Sequence, residues 1–184
     1  MAPCPEHIKR EFDESLGFIR QDIKWLIEHD SGLNYTITLL IGCGCEMLAA
    51  CDGKNRLGER VFADLLPTGE WQLLAGRIYG ALRDGLAHGF DTKHLLVDGN
   101  EHQIYLSVRG NQDIEIIRNN RGVGLYIGIR SLAEKLCDKI DQLEATLGRD
   151  ESARHRFTKA RQPTAGLNTN EAAAWHTLVA AKGF

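Results

Sequence analysis

Three residues whose side chains suit acid–base and phosphate chemistry lie close together in the sequence: Arg83, Asp84 and His88. Asp84 and His88 are four positions apart, so their side chains can meet if the segment is helical. A carboxylate that is hydrogen-bonded to one ring nitrogen would orient the imidazole and favour its protonated form. Arg83 adds a cation that can hold a phosphate group. The three residues therefore predict a site that binds a phosphate and moves protons.

The relative positions of Arg83 and His88 set a condition on this site. Five positions correspond to about 140° around an ideal helix, so the two side chains point in different directions. They can converge on one phosphate only if the helix unwinds near Gly85 or if two chains contribute. Glycine in the last turn weakens a helix, and a second chain would supply the missing partner. Both routes stay open at this point.

Apolar residues recur at helical spacing through most of the chain and predict the elements that position these side chains. The stretch 33–51 is apolar almost all round, which is typical of a buried helix or of a strand that runs into a helix; its length favours the helix. The predicted helices are 6–28, 33–51, 60–66, 71–87, 125–147 and 171–181.

The pattern changes between 92 and 118, where short runs rich in branched and aromatic residues predict strands at 92–97, 103–108 and 113–117. Turn signals separate them, Asp98-Gly99-Asn100 after the first run and Gly110-Asn111 after the second. The sequence thus predicts a mainly helical protein. A small three-stranded antiparallel meander, at about 92–118, is inserted before the last long helix.

The end of the 71–87 helix reads Ala81-Leu82-Arg83-Asp84-Gly85-Leu86-Ala87-His88-Gly89-Phe90. This segment resembles the signature of the HEPN domain superfamily, a ribonuclease-like family in which Arg and a polar residue precede a His, often within "Ala-His-Gly". Here Asp84 occupies the polar position. The resemblance implies an antiparallel helical bundle over residues 1–148. It also implies a homodimer in which Arg83, Asp84 and His88 are the catalytic residues.

Two functions follow from the resemblance. One is a metal-independent endoribonuclease, as in bacterial toxin–antitoxin or defence systems, with RNA as substrate and an antitoxin or other regulatory protein as partner. Such cleavage needs a base for the 2′-hydroxyl and an acid for the leaving oxygen, which two copies of His88 across a twofold axis could provide. The other is a non-catalytic HEPN module that binds nucleic acid, nucleotide or a protein. Neither function calls for a cofactor or a metal.

Three further residues are candidates for contact with the substrate. Tyr79 precedes Arg83 by one helical turn and could form a wall of the same groove. Arg154 and Arg156 belong to a basic stretch, 149–161, that could guide RNA electrostatically. This stretch, together with the breaker-rich Pro163-Thr164-Ala165-Gly166, predicts a basic linker that leads to a short C-terminal helix within 149–184.

Composition excludes several other classes of protein. The net charge of −3 argues against a surface coated with positive charge. The sequence contains no run of about eighteen apolar residues, so no membrane span is predicted. The first residues lack the pattern of a secretory signal. Five cysteines without framework-like spacing indicate reduced thiols in a cytoplasmic protein.

Two other candidate sites match the sequence patterns of known sites less well. Leu40-Ile41-Gly42-Cys43-Gly44 resembles the glycine-rich turn of a dinucleotide site, but the third glycine and the alternation of strands and helices downstream are missing. Close packing of helices is the better explanation. Cys43, Cys45 and Cys51 lack the paired spacing of a structural zinc site.

Overall fold

The structure, a computed structural model, describes residues 4–29, 33–52, 57–89, 94–109, 113–161 and 169–181. Within these ranges the chain is mainly helical and carries two small sheets. The helices are α1 (Glu6–Phe12), α2 (Phe18–Glu28), α3 (Asn34–Cys51), α4 (Gly58–Ala63), α5 (Glu70–Gly89), α6 (Ile129–Leu147), α7 (Glu151–Ala160) and α8 (Thr169–Ala181), and a π-helical turn at Asp13–Gly17 joins α1 to α2. The strands are β1 (Leu95–Val97), β2 (Asn100–His102), β3 (Ile104–Ser107), β4 (Ile114–Asn119) and β5 (Gly122–Gly128).

Helix α3 is the centre of the helical part, as its apolar sequence predicts. It contacts α2, α4, α5, α6 and α7. A Cβ atom at Gly44 would lie 2.8 Å from Leu136 Cδ2, so this glycine allows α3 and α6 to pack closely. The interpretation as close helix packing is therefore confirmed at Gly44, whereas a Cβ atom at Gly42 would meet nothing within 4 Å. Among the described helices, α3 alone has the length and composition to cross a membrane, a test that the core helix of a soluble protein also passes.

The prediction of one three-stranded antiparallel meander is wrong. β1 pairs with β2 in a separate antiparallel hairpin, while β3, β5 and β4 form the other sheet in that order. The first turn signal is confirmed, because Asp98 and Gly99 both have positive φ (50° and 79°), as a two-residue hairpin turn requires. The second signal, Gly110-Asn111, lies outside the described residues.

The central strand of the larger sheet, β5, is an element that the sequence pattern missed. It pairs in parallel with β3 and antiparallel with β4. Residues 125–128 were predicted to begin the last long helix, because Leu125, Ile129 and Leu132 fit a helical stripe. Leu125, Ile127 and Ile129 fit the two-residue period of a strand equally well. The helix begins only at Ile129.

The prediction of a linker is also wrong for residues 151–160, which form helix α7, while the breaker-rich end of that linker lies outside the described residues. The Asp150 side chain begins this helix by accepting hydrogen bonds from the backbone N–H groups of Ser152, at 2.8 Å, and Ala153. Phe157 is fully buried, and its ring centroid lies 6.2 Å from that of Phe12 in α1. Helix α7 therefore belongs to the same core as α1 and α3.

We expect Phe157→Ala to lower the free energy of unfolding by about 3–5 kcal/mol, since it empties a fully buried aromatic site. Chemical denaturation measures this change. Lys159→Ala, at an exposed position of the same helix, is the matched control and should change stability by no more than about 0.5 kcal/mol. An equally small effect of Phe157→Ala would mean that α7 is not part of the core.

Candidate functional site

Helix α5 carries the predicted site residues, and it is continuous from Glu70 to Gly89. Gly85 is buried within it and does not unwind the last turn. The proposed convergence of Arg83 and His88 through local unwinding is therefore wrong. The side chain of His88 and its predicted contact with Asp84 lie outside the described part of the structure. Of the two routes left open by the sequence, the contribution of a second chain remains.

Arg83 presents an accessible cation. Its side chain is 60% exposed, and its Nε atom lies 3.8 Å from Glu46 Oε1. This separation is an ion pair but exceeds hydrogen-bond distance, and exposed pairs of this kind contribute only about 0–1 kcal/mol. A phosphate could therefore compete for the guanidinium at little cost.

Tyr79 lies one turn before Arg83, and its side chain is buried but lines the same cavity as Arg83. Its hydroxyl donates a hydrogen bond to Glu46 Oε1 at 2.9 Å and lies 3.2 Å from the backbone oxygen of Gly42. Burial, reinforced by the hydrogen bond to Glu46, raises the pKa of the Tyr79 phenol well above its usual value. The hydroxyl is thus a protonated donor at neutral pH and holds the Glu46 carboxylate in place.

Glu46 contacts both Tyr79 and Arg83, and the sequence motif around Arg83 does not point to it. It is the only charged residue between Leu33 and Cys51, and a lone carboxylate in an apolar helix is a signal that could have identified it. Gly58, at the start of α4, makes room for it. A Cβ atom there would lie 2.6 Å from Glu46 Cδ and 2.6 Å from the Tyr79 hydroxyl oxygen.

A cavity of about 490 Å³ lies beside Glu46 and Arg83. Helices α3 and α5 provide most of its lining, and α4 and α6 each contribute a buried side chain. Among the described residues that line it, Glu46 and Arg83 are the charged ones. Its volume is in the range of about 300–1,000 Å³ that small-molecule sites usually have. The apolar side chains of the lining are Leu39, Ile41, Met47, Phe62, Leu82, Leu86 and Leu132.

Arg154 and Arg156 are not brought to this cavity. Arg154 Nη1 donates a hydrogen bond to the backbone oxygen of Leu147 at 2.9 Å and so satisfies a carbonyl at the end of α6. Arg156 lines a different cavity, of about 260 Å³, together with Lys139 and Asp64. Arg154 thus has a local contact at the junction of α6 and α7, and Arg156 faces a separate cavity.

The cysteines do not form a site together. Cys43 is exposed, whereas Cys45 and Cys51 are buried, and burial raises the pKa of the Cys51 thiol to about 11. Within the described ranges, no group of three or more His, Cys, Asp or Glu side chains is arranged to hold a metal ion.

The described site thus combines an exposed guanidinium, a carboxylate fixed by a tyrosine hydroxyl, and an apolar cavity beside both. The guanidinium suits an anionic group, and the cavity suits an apolar or aromatic one. Comparisons of the chain with protein-family models, with curated proteins and with solved structures find no match.

Proposed function

We propose that this protein is a metal-independent endoribonuclease of the HEPN type that works as a homodimer. The observation that carries the proposal is the exposed, weakly paired Arg83 guanidinium on the same helix as the Arg83-Asp84-…-His88 sequence. The mainly helical fold of the described residues agrees with a HEPN-like bundle. Arg83 would hold the scissile phosphate and stabilise the charge that develops on it.

The chemistry needs His88 from both chains. One imidazole removes the proton from the 2′-hydroxyl, whose oxygen then attacks the phosphorus. The other imidazole protonates the 5′-oxygen as its bond to phosphorus breaks. Because Arg83 and His88 point about 140° apart on the continuous helix, one chain does not bring both side chains to the same phosphate. A second chain related by a twofold axis is the way to place both imidazoles there. Asp84 orients the imidazole on its own chain.

The products provide the test. Incubation of a mixed-sequence RNA with the purified protein in the presence of a metal chelator should give fragments that end in 2′,3′-cyclic phosphate and 5′-hydroxyl groups. Intact RNA at excess protein, or fragments that carry 5′-phosphates, would contradict the proposal. End-group-specific labelling of the fragments distinguishes these outcomes.

The apolar cavity favours a second candidate function, a HEPN module that binds nucleotide, nucleic acid or a protein without cutting. Such a module would bind RNA through Arg83 and leave it intact.

We further propose a cytoplasmic location, which fits the free thiols. There an antitoxin or another regulatory protein would control the ribonuclease.

A further inference from the structure

The cavity beside Arg83 suits a planar aromatic ring. Its lining is predominantly aliphatic, with Phe62 and Tyr79 as aromatic members. Bases that proteins extract from a nucleic acid strand are commonly held in this way, between apolar side chains with one polar group at the edge of the ring. In this cavity Glu46 is a polar group of that kind.

A carboxylate is a selective partner for a base, because it only accepts hydrogen bonds. Guanine presents two adjacent donors, N1–H and the N2 amino group, which match the two oxygens of a carboxylate. Adenine and cytosine each place a ring-nitrogen acceptor beside the amino group, and uracil places its single N3–H between two carbonyl oxygens. These three bases would therefore turn at least one acceptor toward Glu46.

The neighbours of Glu46 hold it in position for this role. The Tyr79 hydroxyl and the Arg83 guanidinium both approach Oε1, at 2.9 Å and 3.8 Å. A carboxylate offers about four lone-pair sites, so these two contacts leave acceptor capacity for a ligand. The closely packed Gly58 restricts the carboxylate from the side of α4.

We infer that this cavity binds the guanine base on the 5′ side of the cleaved phosphate, with Glu46 recognising the base and Arg83 the phosphate. The inference rests on the proposed function for RNA as the ligand. It adds the substrate class, which is RNA cleaved after guanosine. Glu46 is then the residue that determines specificity, and Tyr79 is the residue that positions Glu46.

The test uses the four nucleoside 3′-monophosphates, which carry the base and the phosphate but cannot be cleaved. Isothermal titration should show that the wild type binds 3′-GMP about 10-fold or more tightly than 3′-AMP, 3′-CMP and 3′-UMP, as expected for a bidentate contact to a base. Glu46→Gln should remove the preference, because the amide presents a donor in place of one acceptor. Glu134→Gln, at an exposed position of α6, is the matched control and should keep it.

A second measurement identifies what occupies the cavity. Cys43 is exposed and lines it, while Cys45, Cys51 and Cys137 are buried, so in a Cys4→Ser background iodoacetamide should modify Cys43. Added 3′-GMP should slow this modification, and 3′-AMP should slow it much less. A Cys43 that becomes reactive only on dilution, with no nucleotide effect, would mean that a second copy covers the cavity and would overturn the inference.

Failure of this inference is distinguishable from failure of the proposed function. Equal binding of all four nucleotides, or no binding, would overturn the guanine assignment even if the protein cleaves RNA. Preferential binding of 3′-GMP that Glu46→Gln removes would support the assignment even if RNA stays intact, in which case the ribonuclease proposal falls.

Discussion

Replacement of His88 by alanine is expected to lower the rate of RNA cleavage by about 10²–10⁴-fold, the usual contribution of a positioned acid–base group. The large effect follows from the symmetry of the proposed dimer, since one substitution removes both the base and the acid. Single-turnover cleavage of a short single-stranded RNA, with a metal chelator present, measures the rate.

His155→Ala is the matched control, because His155 is an exposed histidine on α7. This variant should retain the wild-type rate. Equal unfolding midpoints for the His88→Ala variant and the wild type would show that the loss is not a folding defect. A His88→Ala protein that cleaves at the wild-type rate would remove His88 from the site.

Replacement of Arg83 by alanine is expected to lower the cleavage rate by about 10²–10³-fold, the typical cost of removing one group that stabilises developing charge. Arg83→Lys should recover part of the loss, because lysine restores the charge but not the two-pronged contact with phosphate. The fold should tolerate both changes, since the Arg83 side chain is 60% exposed.

Arg77→Ala serves as the control for this prediction. Arg77 is an exposed arginine on the same helix, and its loss should leave the cleavage rate unchanged if only Arg83 contacts the scissile phosphate. Separate values of kcat and KM distinguish two roles for Arg83. A fall in kcat indicates stabilisation of the transition state, whereas a rise in KM alone indicates uniform binding and would contradict the proposed role.

The sequence predicted the helices well because their apolar stripes are local signals. It failed where one pattern fits two structures, as at residues 125–129, and where a pairing partner is distant. The parallel pairing of Ile104 with Leu125 cannot be read from either strand alone. Helix α7 was missed because its buried face is small, with Ala153 and Phe157 set among charged residues.

The candidate site shows the same limits. The positions of Arg83 and His88 on one helix follow from the sequence, since the helical pattern of 71–87 is local. The contact of Tyr79 and Arg83 with Glu46 does not, because it joins residues more than thirty positions apart across two helices. The role of Gly58 depends on the same packing, since only the folded chain brings Glu46 and Tyr79 against α4.

The most direct test of the central claim, that two chains share one catalytic site, is the cleavage rate of mixed dimers. Wild-type and His88→Ala chains are unfolded together in equal amounts, refolded, and compared with wild type that was treated in the same way. If each site needs His88 from both chains of a symmetric dimer, the mixture should retain about one quarter of the wild-type rate. A rate of about one half would mean that each site uses a single His88, and would contradict the site that needs both histidines.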